Sequence, residues 1–281
     1  MKIHLKITGL LFLLGIVVGI GFYGIHKDYY TSTQMDIFLV INHALSGTVF
    51  GPNFWLNITA LGDALILFPL LSFFVFKNTQ AWAALFGAVP LSAILSHFGK
   101  AFFSVSRPAA IIDADKFTIM GKTLTGATSL PSGHTITIFA MVSAVLLVLF
   151  YNNKKNYNNS NNSSRKAFAV WAVGLISLAF VVAISRVAIG AHWPADLLLG
   201  AIFGFFGGLS GAILTFKYST WWRWITKPQF WYVKALIIIA VSFAMIVEYS
   251  QLVVAWLSLI VAVFVTIKLL ALKKNVLNES L

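Results

Sequence analysis

The chain alternates long apolar runs with short polar connections. Eight runs approach membrane-spanning length, at about 5–25, 55–76, 81–103, 133–151, 167–187, 194–216, 233–249 and 252–272. A helix of roughly 20 apolar residues crosses the hydrocarbon core of a bilayer. The pattern therefore predicts an all-α, polytopic membrane helix bundle of about eight transmembrane helices, in which the last two form a hairpin joined by little more than "EYSQ". The segment Met35–Gly47 differs: apolar residues recur at helical spacing with Asp36 and Asn42 among them, which predicts an amphipathic helix lying at the interface. The first run has Lys2 and Lys6 at its start, is long for a signal sequence and lacks a small-x-small cleavage site, so it reads as a retained first helix.

Composition agrees. Only 10% of residues are charged and mean hydropathy is +0.87, whereas about a quarter of a soluble domain is charged. The absence of cysteine excludes disulfides, thiolate nucleophiles and Cys-ligated metals. A net charge of +12 would suit a nucleic-acid binder, but the basic residues lie mostly in short loops, as the positive-inside rule expects. With eight spans, 14 of the 20 Lys and Arg residues fall on the side of the termini and 6 on the other. Both termini are then cytoplasmic, as is a flexible Asn-rich loop, "YNNKKNYNNSNNSSRK".

The minority side carries the candidate chemistry. Alternation brings the end of the third run, the start of the fourth, the end of the fifth and the start of the sixth to one level. Lys100, Arg107, His134, Arg186, His192 and Asp196 all stand there. Spanning a bilayer does not require such a gathering at one level of the membrane.

Each piece has a bland reading beside a chemical one. Lys100 and Arg107 are seven apart and share a face if the helix runs that far, though Pro108 favours an ending. Alone, they read as basic groups snorkelling to the interface. "PSGH" (Pro131, Ser132, Gly133, His134) either simply starts a helix or presents free N–H groups, a hydroxyl and a proton carrier to an anion. His192 and Asp196, four apart across Pro194, either anchor a loop or form an oriented pair, with one ring nitrogen bound to the carboxylate and the other bare. Together the pieces supply three cations, two histidines, one orienting carboxylate and backbone donors. That set suits metal-independent phosphoryl transfer, in which one histidine attacks, the other protonates the leaving oxygen, and the cations hold the shifting charge.

The combined pattern resembles the type 2 phosphatidic acid phosphatase superfamily, related to the vanadium haloperoxidases. The family signature is K-x6-R-P, P-S-G-H and S-R-x5-H-x3-D. This sequence matches it at Lys100, Arg107 and Pro108, at Pro131–His134, and at Ser185, Arg186, His192 and Asp196. The resemblance implies His192 as a nucleophile forming a phosphohistidine, Asp196 as its orienting group and His134 as the acid to the leaving group. It implies Lys100, Arg107, Ser132, Gly133 and Arg186 as phosphate-binding residues, with no metal and no cofactor. It further implies a six-helix core with its site facing the periplasm, in an inner-membrane protein. The chain reads as one membrane domain, 1–281, with a signature-bearing core at 82–215 and an additional transmembrane hairpin at 233–272.

The expected function is hydrolysis of a lipid phosphate or pyrophosphate. Undecaprenyl pyrophosphate, phosphatidylglycerol phosphate, phosphatidic acid and lipid A phosphate are all candidates, and neither the lipid nor the oligomeric state is readable. A phosphotransferase with the same nucleophile is the alternative. A transporter is disfavoured because the polar residues gather at one face rather than at the midplane. Among the remaining residues, Asp63 is expected to settle at the headgroup level, His97 to face the bundle, and the loop 104–131 to be solvated unless it covers the site.

Overall fold

The computed structural model describes residues 27–155 and 162–278, and every regular element among them is helical. In chain order the helices are α1 (Lys27–Ser46), α2 (Gly51–Ala60), α3 (Ala64–Leu70), α4 (Phe74–Lys77), α5 (Thr79–Phe103), α6 (Gly133–Lys155), α7 (Asn162–Ala188), α8 (Pro194–Lys217), α9 (Arg223–Thr226), α10 (Trp231–Tyr249) and α11 (Val253–Asn278). Six helical stretches are long and apolar enough to cross a membrane: 79–110, 133–153, 168–188, 194–217, 228–249 and 253–271. The expected first run, 5–25, lies outside the described residues. So does the centre of the Asn-rich stretch, but α6 and α7 run into both of its ends, so less of it is loop than its composition suggests.

The expected second span is not one straight helix. It is broken at residues 61–63 into Gly51–Ala60 and Ala64–Lys77, which meet at 74°. Asp63 supplies the reason locally: its backbone is extended, and its side chain accepts from Leu65 N (2.8 Å), which starts a new helix there. The predicted interfacial helix is present as α1. It is anchored by Phe38, fully buried edge-on to Phe117 and Trp193.

Helices α5, α6 and α8 form the centre of the bundle. Their close approach follows from glycines on α8. A β-carbon at Gly204 would meet Ile136 O of α6 at 2.5 Å, one at Gly208 would meet Ala140 O at 2.5 Å, and one at Gly211 would overlap α5 at Ala84 and Ala88. Small residues let backbones pack where lipid supplies no hydrophobic drive. Outward-facing side chains are apolar, including Val170, Trp171, Phe243 and Ile260, which suits contact with acyl chains. Lys234 is buried, yet satisfied: its Nζ donates to Ile225 O and Lys227 O, both at 3.1 Å.

Candidate active site

The chain reaches the site through a sequence of terminations. Helix α5 stops at Ser104, which takes a left-handed conformation (φ 46°), and Arg107 follows in extended backbone before Pro108. Arg107 is therefore not on the helical face of Lys100, as continued periodicity would have it. Proline disfavours helix at the preceding residue, and the loop carries Arg107 to the site from another direction. Its amide donates to Gly126 O at 3.2 Å. The loop is not merely solvated: Val105, Ile112, Phe117, Met120 and Leu130 are buried, while Asp113 and Lys116 pair at its exposed edge.

Beyond α7 the chain reverses at Gly190, with φ +79°, where a β-carbon would strike Phe117 and Thr118 O at 2.9 Å. Only glycine accommodates both demands. The reversal directs the amides of Ala191 and His192 back to Arg186 O, at 2.9 and 3.3 Å. It also delivers His192 to the start of α8, where Pro194 occupies the first turn.

His192 is held from both nitrogens. Its Nδ1 lies 3.1 Å from Asp196 Oδ2, and its Nε2 lies 3.2 Å from Arg107 Nη1. Asp196 only accepts and Arg107 only donates, so the ring hydrogen belongs on Nδ1 and the lone pair on Nε2. Asp196 is fully buried, and its Oδ2 also accepts from Trp193 N (2.9 Å) and from the Ser129 hydroxyl (2.5 Å). Burial, then the positive fields of Arg186, Arg107 and Lys100, hold the His192 imidazole well below its usual 6.5, so it is neutral at physiological pH.

The other expected residues surround this pair. Arg107 also donates to Ala191 O at 2.9 Å. Arg186 is buried, with Nη1 on Thr59 Oγ1 at 2.7 Å. Lys100 reaches the start of α6, where a β-carbon on Gly133 would sit 3.5 Å from its Nζ. Ser132 is buried; its oxygen accepts from Thr135 Oγ1 (3.0 Å) and its amide donates to Asp196 O (3.2 Å). The lone pairs of Ser132 thus start α6 and leave its O–H to donate. His134 packs against the α2–α3 break, 2.7 Å from where a β-carbon on Gly62 would stand.

Ser129, Thr59, Gly62 and Asn42 join the site without having been expected there. Asn42 is fully buried; it donates to Thr118 O, Val187 O and Ala188 O and accepts from Thr118 N. It thereby ties the loop after α5 to the end of α7. The one available signal for Asn42 was an amide on the apolar stripe of α1. Of the residues set aside earlier, His97 is exposed rather than facing the bundle, with Nδ1 3.1 Å from Ala93 O.

Fold and site together define a membrane helix bundle whose helix ends converge on a buried His–Asp pair ringed by cations. The model of the PAP2 superfamily matches residues 81–224, and the chain belongs to that superfamily. Two curated relatives, the lipid A 1-phosphatases of Rhizobium etli and Rhizobium johnstonii, are each 29% identical to it over 133 residues, 47% of this chain. The matched part spans about half of those proteins, 49% and 47% respectively. Among solved structures, Aquifex aeolicus LpxE is similar with a TM-score of 0.49 and 25% identity, covering 63% of this chain and 93% of that one. A PAP2-type phosphatidylglycerolphosphate phosphatase from Bacillus subtilis is similar with a TM-score of 0.48 and 19% identity, covering 76% and 94%.

Proposed function

We propose that the chain is an integral-membrane phosphatase that hydrolyses a lipid phosphate or pyrophosphate through a phosphohistidine on His192. The observation that carries this reading is the unprotonated Nε2 of a neutral, carboxylate-held imidazole, which takes a hydrogen bond from Arg107 and lies among the charges of Arg107, Lys100 and Arg186. The phosphate would settle between Nε2 and these cations, with the Ser132 hydroxyl and the first amides of α6 as further donors. Nε2 attacks phosphorus, the N–P bond forms, and the P–O bond to the lipid breaks. His134 gives its proton to the departing oxygen. Water then attacks the phosphohistidine and returns a proton to His134, and inorganic phosphate leaves. Arg107 and Arg186 are anchored by hydrogen bonds before reaction, so their part in stabilising the five-coordinate phosphorus needs little reorganisation.

A lipid substrate is supported by an apolar cleft of about 440 Å³ between α6, α7 and α8. Its walls include Phe139, Phe180 and Ile184, and also Pro194 and Leu197, which lie within a turn of Asp196. The named activity of the Rhizobium relatives points the same way. The charge asymmetry of the loops favours a site open to the periplasm.

The test is phosphate release in detergent with EDTA present, from a panel of lipid phosphates, comparing wild type with His192→Ala. Release by wild type, none by the variant, and an acid-labile phosphoryl label only on wild type are expected. Release by His192→Ala at the wild-type rate would remove the nucleophile. Orientation is checked separately. The native chain has no cysteine, so Asp115→Cys in the exposed loop should react with an impermeant maleimide added outside intact spheroplasts.

A further inference from the structure

The helix pair α10–α11 lies outside the residues matched by the family model. It packs on the corner between α2 and α3, in a buried cluster of Ala60, Ile66, Met245, Val254 and Ala255. Two polar contacts pin that corner. The hydroxyl of Tyr249, the last residue of α10, donates to Asp63 Oδ2 at 2.7 Å, and Val254 N at the start of α11 donates to Asn57 Oδ1 at 2.9 Å.

The opposite face of the same corner touches the site. Thr59 Oγ1 takes the Arg186 Nη1 hydrogen bond at 2.7 Å. Gly62 is so close to His134 that a β-carbon there would lie 2.7 Å from His134 Cβ. Within five residues, 59 to 63, the chain changes direction by 74° and presents two groups to the site and one to the hairpin. A break in a spanning helix lacks the continuous hydrogen-bond ladder that stiffens its neighbours. Its angle is therefore set by what grips it. Asp63 is gripped twice, by its own Leu65 amide and by Tyr249.

We propose that Tyr249 is a positioning residue for the reaction: through Asp63 it fixes the α2–α3 break, and the break in turn holds His134 and Arg186 in register with His192. This rests on the reading of His134 as acid and Arg186 as phosphate ligand. The helix pair thus has a role in the chemistry that its distance from His192 in sequence conceals.

The experiment uses the full chain in detergent and compares Tyr249→Phe, Asp63→Asn, the double variant and His192→Ala. Tyr249→Phe keeps the ring in its apolar contacts and removes only the O–H. Small displacements of reacting groups cost large factors in rate, so kcat on an alkyl lipid phosphate should fall about tenfold with KM within about twofold. The loss should be smaller on an aryl phosphate, whose leaving oxygen departs without a proton from His134. Asp63→Asn retains the Leu65 cap and weakens the Tyr249 contact, so its loss should be smaller, about threefold, and the double variant should resemble Tyr249→Phe alone. Wild-type kcat in Tyr249→Phe would overturn the proposal, as would equal losses on both substrates accompanied by a lower melting temperature. If Tyr249→Phe does not fold, Asp63→Asn decides alone by the same substrate comparison. Activity in His192→Ala would instead overturn the underlying reading of the site, so the two failures are distinguishable.

Discussion

Ser129→Ala tests how Asp196 is kept poised. Asp196 Oδ2 accepts three donors: the Ser129 hydroxyl at 2.5 Å, Trp193 N at 2.9 Å and His192 Nδ1 at 3.1 Å. All three partners are buried, so the hydroxyl is not exchanged for a contact with bulk solvent at the protein surface. A hydrogen bond to a charged group contributes about 1.5–3 kcal/mol. Part of that is recovered when the remaining two donors tighten, which leaves about 1–2 kcal/mol. The carboxylate still holds the Nδ1–H, so the tautomer survives and the nucleophile stays on the correct nitrogen. The expected outcome is a fall in kcat/KM of about 5- to 30-fold, since 1.36 kcal/mol is tenfold. The melting temperature in the same detergent should drop as well. Initial rates of phosphate release at substrate well below KM measure the first quantity. Asp196→Asn should cost far more, because it removes the charge that would stabilise the proposed imidazolium-like phosphohistidine and leaves buried donors facing an amide. A Ser129→Ala rate within twofold of wild type would refute the claim that the hydroxyl supports the carboxylate. A loss as complete as that of His192→Ala would refute the claim that two donors suffice.

Further outcomes follow from the same geometry. Folded His192 stays neutral well below its usual 6.5, whereas the unfolded chain takes up a proton there, so the unfolded state binds more protons and stability falls as pH drops below about 6.5. Melting temperatures between pH 7.5 and 5 should therefore decline more steeply for wild type than for His192→Gln. Gly62→Ala forces His134 to move and should cut kcat on an alkyl lipid phosphate roughly 10- to 100-fold, whereas Gly174→Ala, where nothing lies within 4 Å, should leave the rate unchanged. Gly204→Val places bulk against Ile136 and Phe139 in the close contact of α8 with α6 and should cost several kcal/mol or prevent folding, as seen in the yield of monodisperse protein.

The pieces of the site that were legible in the sequence are those held together by local geometry. His192 and Asp196 are one helical turn apart, and the helix that starts at Pro194 must place them together. Lys100 near a helix end and "PSGH" at a helix start required only an estimate of where apolar runs stop. Lys100 and Arg107 share a face only if the helix runs through both; Pro108 favours an ending, and the chain leaves the helix at Ser104, so the path of Arg107 to the site is not local information.

The sequence by itself determined the class of fold, because lipid admits few solutions for long apolar runs, and it located the residues on which the proposed chemistry rests, because spaced charges at helix ends are local features. Only the tertiary structure decided which groups steady that chemistry. Ser129 meets Asp196 across 67 positions, Arg186 meets Thr59 across 127, and Tyr249 meets Asp63 across 186. No periodicity carries information over such separations. Those contacts arise where helices cross, and the crossings depend on α8 glycines and on one 74° break whose consequences appear only when all the helices are packed.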